Sequence, residues 1–257
     1  MRDRIEQTGE NFWTIRGSFK IGGLIDIGTQ AALVRRPSGQ FVLLDSYTLS
    51  GAVKDEVMAL TDQGAAVEAV LNLHPFHTVH CAQMHADFPK ARHIGSERHV
   101  MRFSDLNWDA ARIDDPALQA EFADTLEFSV PRGVDFISRN ENVHFSSVLA
   151  YHPASKTLHS DDTLMVIGPA RKLPVIGMAQ RLSFHPTLGQ ALEHREGAAD
   201  EFDAWAQELA TLWGEAETIC AAHLTVMPVG GPSARDLILA ALGRVQSTLD
   251  KHRKKYG

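Results

Sequence analysis

The apolar positions of this chain follow two periods, and the switches between them mark its elements. Short runs that are apolar throughout or at every second position predict strands at 12–15, 24–27, 31–35 and 41–44. The run 41–44 is wholly apolar, which predicts burial of both its faces. Pro37 and Gly39 just before it supply the restricted and the permissive φ of a turn over 36–40. These strands read as an antiparallel meander. Ser50 then offers an N-cap, and Val53, Val57, Met58 and Leu60 fall at helical spacing over 53–60. Residues 69–73 and 91–94 read as further strands, and 97–103 and 116–122 as short helices. Strand patterns return at 126–130, 133–137, 143–150 and 157–160, with a turn at 152–156 between the last two.

Phe202, Trp205, Leu209, Leu212 and Trp213 share one face at a period of 3.6, which predicts a long packed helix over 200–221. A strand at 224–229 follows, then Gly230 and Gly231, and Ser233 caps a last helix from 234 to about 251. Strands cluster, a helix follows, and the same order repeats. That order predicts two sheets with helices packed outside them. No internal repeat or low-complexity linker divides the 257 residues, which read as one domain, 1–257.

Composition narrows the classes. With 44 % hydrophobic and 22 % charged residues, a chain of this length buries a sizeable core without staples. A net charge of −7 argues against a nucleic-acid partner. The basic cluster Lys251, Arg253, Lys254 and Lys255 reads as a solvated helix tail. Cys81 and Cys220 have no CxxC spacing, which fits a reducing compartment and small apolar roles in a core. The first residues are charged, and no apolar run approaches the roughly 18 residues of a membrane span. The expectation is a cytoplasmic protein with a small-molecule substrate and no membrane partner; a homodimer stays open. Nucleotide-binding glycine patterns and a Gly-x-Ser-x-Gly elbow are missing from the sequence.

One count changes the picture. Six of the thirteen histidines fall between His74 and His99. The segment His74-Pro-Phe-His77-Thr-Val-His80 begins where an apolar strand ends, and Pro75 cannot continue the ladder. A helix starting just after Pro75 places His77 and His80 on one face, with His74 at the strand tip near them. Three imidazoles at one strand end make a divalent-metal pocket, since neutral imidazole is a common zinc ligand. Loop histidines with ordinary hydrogen bonds are the alternative.

This segment resembles the His-x-His-x-Asp-His motif of the metallo-β-lactamase-fold hydrolases, such as glyoxalase II. The last two histidines keep the spacing, the first is displaced by one residue, and Val79 stands in the aspartate's position. Other segments carry the resemblance as well. Leu43-Leu-Asp45-Ser resembles the strand ending in Asp-Thr-Gly, and the stretch from Asn142 through His144 the strand bearing the next ligand. Asp161-Asp162 resembles the Gly-Asp strand end, and His223 holds the place of the last ligand. The resemblance covers roughly residues 10 to 230. It implies an αββα fold, a four-layer α+β sandwich of two mixed sheets with helices on the outer faces.

It also implies one metal on His74, His77 and His144, a second on His80 and His223, and Asp162 between them. Without a carboxylate at Val79 the second ion is expected to be weakly held or missing, with His85, Asp161 and His185 as substitute donors. Asp45 is expected at the rim. Imidazole nitrogen with carboxylate oxygen suits zinc, iron or manganese, with zinc and iron foremost. The activity implied is hydrolysis of a small ester, thioester, lactone or phosphoester through a metal-bound hydroxide. Val79 equally motivates a metal-free relative that binds a small molecule or protein partner. An iron redox role is the third reading, although no flavin-binding segment follows. Taken singly, His144 and His223 also read as core histidines, and His85, His93 and His99 as surface or structural ones.

Overall fold

The computed structural model describes residues 3–21, 25–26, 28–168, 180–221 and 225–257. The chain divides into two compact units, Met1–Glu127 with His152–Ser155, and Phe128–Tyr151 with Lys156–Gly257.

The first unit grows from a run of short strands: β1 (Arg4–Gly9), β2 (Phe12–Gly17), β3 (Lys20–Ile21), β4 (Ile25–Asp26), β5 (Thr29–Arg35) and β6 (Phe41–Leu44). Helix α1 (Gly51–Leu60), strand β7 (Val67–Leu71), helix α2 (Cys81–Asp87), strand β8 (Arg92–Ile94) and helices α3 (Glu97–Arg102) and α4 (Pro116–Ala120) follow. One sheet runs β1-β2-β5-β6-β7-β8. It is antiparallel through β6, while β7 and β8 are parallel to it. Parallel neighbours need crossovers, and α1 and α2 provide them. The loops after β6, β7 and β8 therefore leave the sheet at the same edge. Val53 and Val57 of α1 and Met84 of α2 share a core with Ile15, Leu33, Leu43 and Val70 of the sheet. Each such side chain contributes about 1.5–3 kcal/mol when fully buried.

The second unit holds β9 (Glu127–Ser129), β10 (Leu149–His152), β11 (Thr157–Ser160), β12 (Leu164–Ile167) and β13 (Arg181–Phe184), the first and second straddling its boundary. Helices α5 (Leu188–Ala191) and α6 (Ala198–Leu212), strands β14 (Thr218–Ala221) and β15 (Thr225–Pro228) and helix α7 (Ala234–Tyr256) complete it. Its sheet runs β15-β14-β11-β10-β9, and β12 and β13 form a separate antiparallel pair. Phe202, Trp205, Leu209 and Trp213 pack with Phe145, Phe184, Ile219 and Ile238 in its core. This is the face that the 3.6 period marked, except for Leu212, which closes the helix 64 % exposed.

Four expectations are corrected. The helix forecast to run through 221 ends at Leu212, and Thr218–Ala221 is a strand. A Cβ on Gly214 would lie 2.5 Å from the Ala210 carbonyl, and β-branched Thr218 and Ile219 then pair with β11. Residues 133–137 make only a bridge between Val134 and Leu192. Gly133 has a φ of +70°, and a Cβ there would lie 2.0 Å from the Ala198 carbonyl, so only glycine passes at this turn. The strand forecast over 143–150 begins at Leu149. Before it, the Ser147 amide and hydroxyl are taken by the Thr163 hydroxyl at 2.9 and 3.0 Å rather than by a ladder. Finally, α2 starts at Cys81 and not just after Pro75, so His77 and His80 do not share a helical face. Of 24–27, residues 24 and 27 lie outside the described residues, and the two between them form β4.

Candidate metal site

The histidine segment is a chain of tight turns. The His77 amide bonds back to the His74 carbonyl at 3.1 Å, and the Thr78 amide to the Phe76 carbonyl at 3.0 Å. The His74 ring reinforces the bend, because its Nδ1 accepts the Phe76 amide N–H at 3.1 Å. Helical bonding begins only with the Met84 amide on the His80 carbonyl. The turns bring His74 and His77 together, their rings stacked with centroids 4.1 Å apart and planes 18° from parallel. His74 is fully buried and His77 half-buried. The Arg98 guanidinium lies over the Phe76 ring at 4.4 Å and packs the loop from outside.

The other residues of the expected set have identifiable surroundings within their own units. His80 is the N-cap of α2 and shares its Nδ1 with the Thr48 hydroxyl at 2.8 Å. Its ring meets Tyr47 edge-on at 5.2 Å. Burial, and then the neighbouring His77, push its pKa below the ordinary imidazole value. Val79 is 69 % exposed and offers no donor to any ion. Asp45 is buried at the end of β6, where its Oδ1 accepts the Leu73 amide at 2.8 Å and its φ is +62°. His85, on α2, stacks on His93 of β8 at 3.7 Å and meets Trp108 edge-on. Burial and the facing His93 lower its pKa to about 4.

In the second unit, Asp161 and Asp162 follow β11 directly, and both are buried. His144 is half-buried in the loop before β10, its Nε2 2.7 Å from the Glu141 carbonyl. His185 holds its Nδ1 2.7 Å from the Thr187 hydroxyl. His223 lies outside the described residues.

Sequence reasoning passed over Asn72 and Ser46, and gave His99 only a general surface or structural role. Asn72 and Ser46 hydrogen-bond each other at 2.6 Å beneath the histidine segment. His99 sits at the third position of α3, where its Nδ1 accepts the Ser96 amide at 3.1 Å in a capping box. Burial pushes its pKa down to about 4, while the His77 main chain that it faces raises it slightly. The Ser96–His99 spacing is the signal that could have found this residue. Nothing distinguished Asn72 from any polar residue at a strand end.

With this geometry in hand, the class is clear: the chain has the metallo-β-lactamase fold. Solved structures similar to it include the metallo-β-lactamase from Pontibacter korlensis, at 12 % identity and a TM-score of 0.57 over 95 % of this chain and 99 % of that one. A second is the metallo-β-lactamase from Erythrobacter litoralis, with β-mercaptoethanol in its active site, at 14 % identity and a TM-score of 0.60 over 94 % and 96 %. A third is FIM-1 from Pseudomonas aeruginosa in its mono-zinc form, at 8 % identity and a TM-score of 0.59 over 95 % and 96 %. At such identities the likeness is one of fold. No family model matches the sequence, and no curated protein matches it.

Proposed function

We propose that this chain is a metal-dependent hydrolase of the metallo-β-lactamase superfamily, acting on a small ester, thioester, lactone or phosphoester. The observation that carries the reading is the stacked His74–His77 pair just beyond the C-terminal end of β7, in a chain of this fold. We take the ligand set to be the one the resemblance implies, His74 and His77 with His144 and Asp162. Imidazole nitrogen and carboxylate oxygen suit zinc, iron or manganese. The donor chemistry fits, with one condition. A neutral imidazole has one lone-pair nitrogen, and at His74 the Phe76 amide already uses it. Binding at either nitrogen of His74 therefore displaces that N–H.

When bound, such an ion supplies a Lewis acid and brings the pKa of its water to about 7. The chain's own residues fix where that happens. The turns of the histidine segment orient two imidazoles, and Asp45 anchors the Leu73 amide at the segment's start. The exposed side chain of Val79 and the Thr48 partner of His80 favour one ion over two. FIM-1, of the same fold, has a form with a single zinc.

Elemental analysis of the purified chain, paired with hydrolysis of a panel of the four substrate classes, tests the reading. One zinc, iron or manganese per chain is expected, with activity down at least a hundredfold in His77→Ala and Asp162→Ala. A chain with no stoichiometric metal, even after zinc or iron is added, refutes it. Val79 also supports a second reading, a metal-free relative binding a small molecule or protein partner. On that reading both substitutions leave the biological activity intact.

A further inference from the structure

The segment 73–80 leaves β7 after Asn72 and enters α2 at Cys81, and the side chains of these two flanking residues meet. The Cys81 thiol donates to Asn72 Oδ1 at 3.6 Å. The same oxygen accepts the Ser46 hydroxyl, from the loop after β6, at 2.6 Å. On its other side, Asn72 donates twice to the Ile94 carbonyl of β8, from Nδ2 at 3.1 Å and from its main-chain N–H at 2.9 Å. The Cys81 sulfur also lies 3.8 Å from the His77 carbonyl, so the contact reaches into the segment. Asn72 and Cys81 are buried to within 1 %, and Ser46 is 8 % exposed.

We propose that Asn72 is the positioning residue of the histidine segment. Its one amide clasps the two ends of the segment together and ties them to the loop after β6 and to β8. The inference rests on the metal reading above for its consequence, and on these contacts for its geometry. Two imidazoles can meet an ion together only if the chain between them has few alternatives. A segment whose ends are joined side chain to side chain has fewer than one joined only through the sheet. Buried polar groups with their bonds made hold one arrangement, and groups that orient metal ligands commonly change affinity by about 10–100-fold when lost.

The test uses the full chain as wild type, Asn72→Leu, Cys81→Ala, Cys81→Ser and the Asn72→Leu/Cys81→Ala double variant. Zinc affinity is measured by competition with a chromophoric chelator. Amide exchange over 73–80 is measured without metal. Asn72→Leu and Cys81→Ala are expected to weaken zinc about tenfold or more. Cys81→Ser regains most of the loss, and the double variant is no worse than Asn72→Leu, since both remove one clasp. Exchange over 73–80 rises in Asn72→Leu while that of β5 stays as in wild type. Zinc affinities within twofold of wild type, additive losses, or unchanged exchange overturn the proposal. If Asn72→Leu fails to fold, the Cys81→Ala and Cys81→Ser pair decides by the same readouts. A wild-type chain that takes up no zinc sinks the metal reading, and the exchange comparison then decides the clasp alone.

Discussion

Lowering the pH from 7 to 5 will destabilise this protein, and His99 will account for much of the loss. Its ring is 0 % exposed, its Nδ1 is committed to the Ser96 amide, and burial holds its pKa at about 4. The unfolded chain returns it to about 6.5. A base with a depressed folded pKa is kept neutral by the fold, so the unfolded state takes the proton first. The contribution is complete above about pH 6.5 and is lost as pH falls toward 4. For one group with these two values, the loss between pH 7 and pH 5 is about 2 kcal/mol. Full burial means that solvent screening does not dilute it. The comparison is wild type against His99→Gln, by urea unfolding in the presence of a chelator at both pH values. Glutamine at this position keeps the capping box and does not titrate. His85, His93 and His152 are depressed in both proteins and cancel. Wild type is expected to lose about 2 kcal/mol more than the variant. Parallel losses would mean that the fold does not hold His99 neutral, and the reasoning fails.

Other predictions follow from single contacts. Zinc will raise hydrogen exchange at the Phe76 amide, read by mass spectrometry or NMR, and unchanged exchange in loaded protein removes His74 from the ligand set. Gly133→Ala will lower stability by at least about 1–3 kcal/mol in thermal or urea unfolding, because it adds a Cβ against the Ala198 carbonyl at a positive φ. Val79→Asp, at a 69 % exposed position, will leave the fold intact and raise bound zinc from one to two per chain by elemental analysis. Cys81 will stay unlabelled by thiol reagents at pH 8 until urea unfolds the chain, since burial hides the sulfur and pushes its pKa to about 12.

How far the sequence could be read depends on what each signal measures. Burial leaves a period, so the stripe from Phe202 to Trp213 and the run 41–44 were legible at once. Ser233 announced its helix because a cap is local, and its hydroxyl does accept the Asp236 amide. Strand β1 left no trace, since none of its residues is buried, most are polar, and it pairs only along the edge of the sheet. The segment after Pro75 misled for another reason. Its Phe76 amide is answered by a side chain, the His74 ring, and the next two amides by tight turns, which no period records. Spacing put His74 near His77 but gave no sign that their rings stack, and the Asn72 clasp depends on three elements meeting and has no sequence pattern.

Asp45 occupies a left-handed backbone position that asparagine, aspartate and glycine tolerate better than other residues. It also lends an oxygen to the Leu73 amide. These two duties separate on substitution. Asparagine can meet both, glycine keeps the bend but drops the anchor, and alanine strains the bend while offering nothing to the amide. A lineage drifting at this position is thus confined to a narrow corridor of side chains, whether or not it still performs any chemistry.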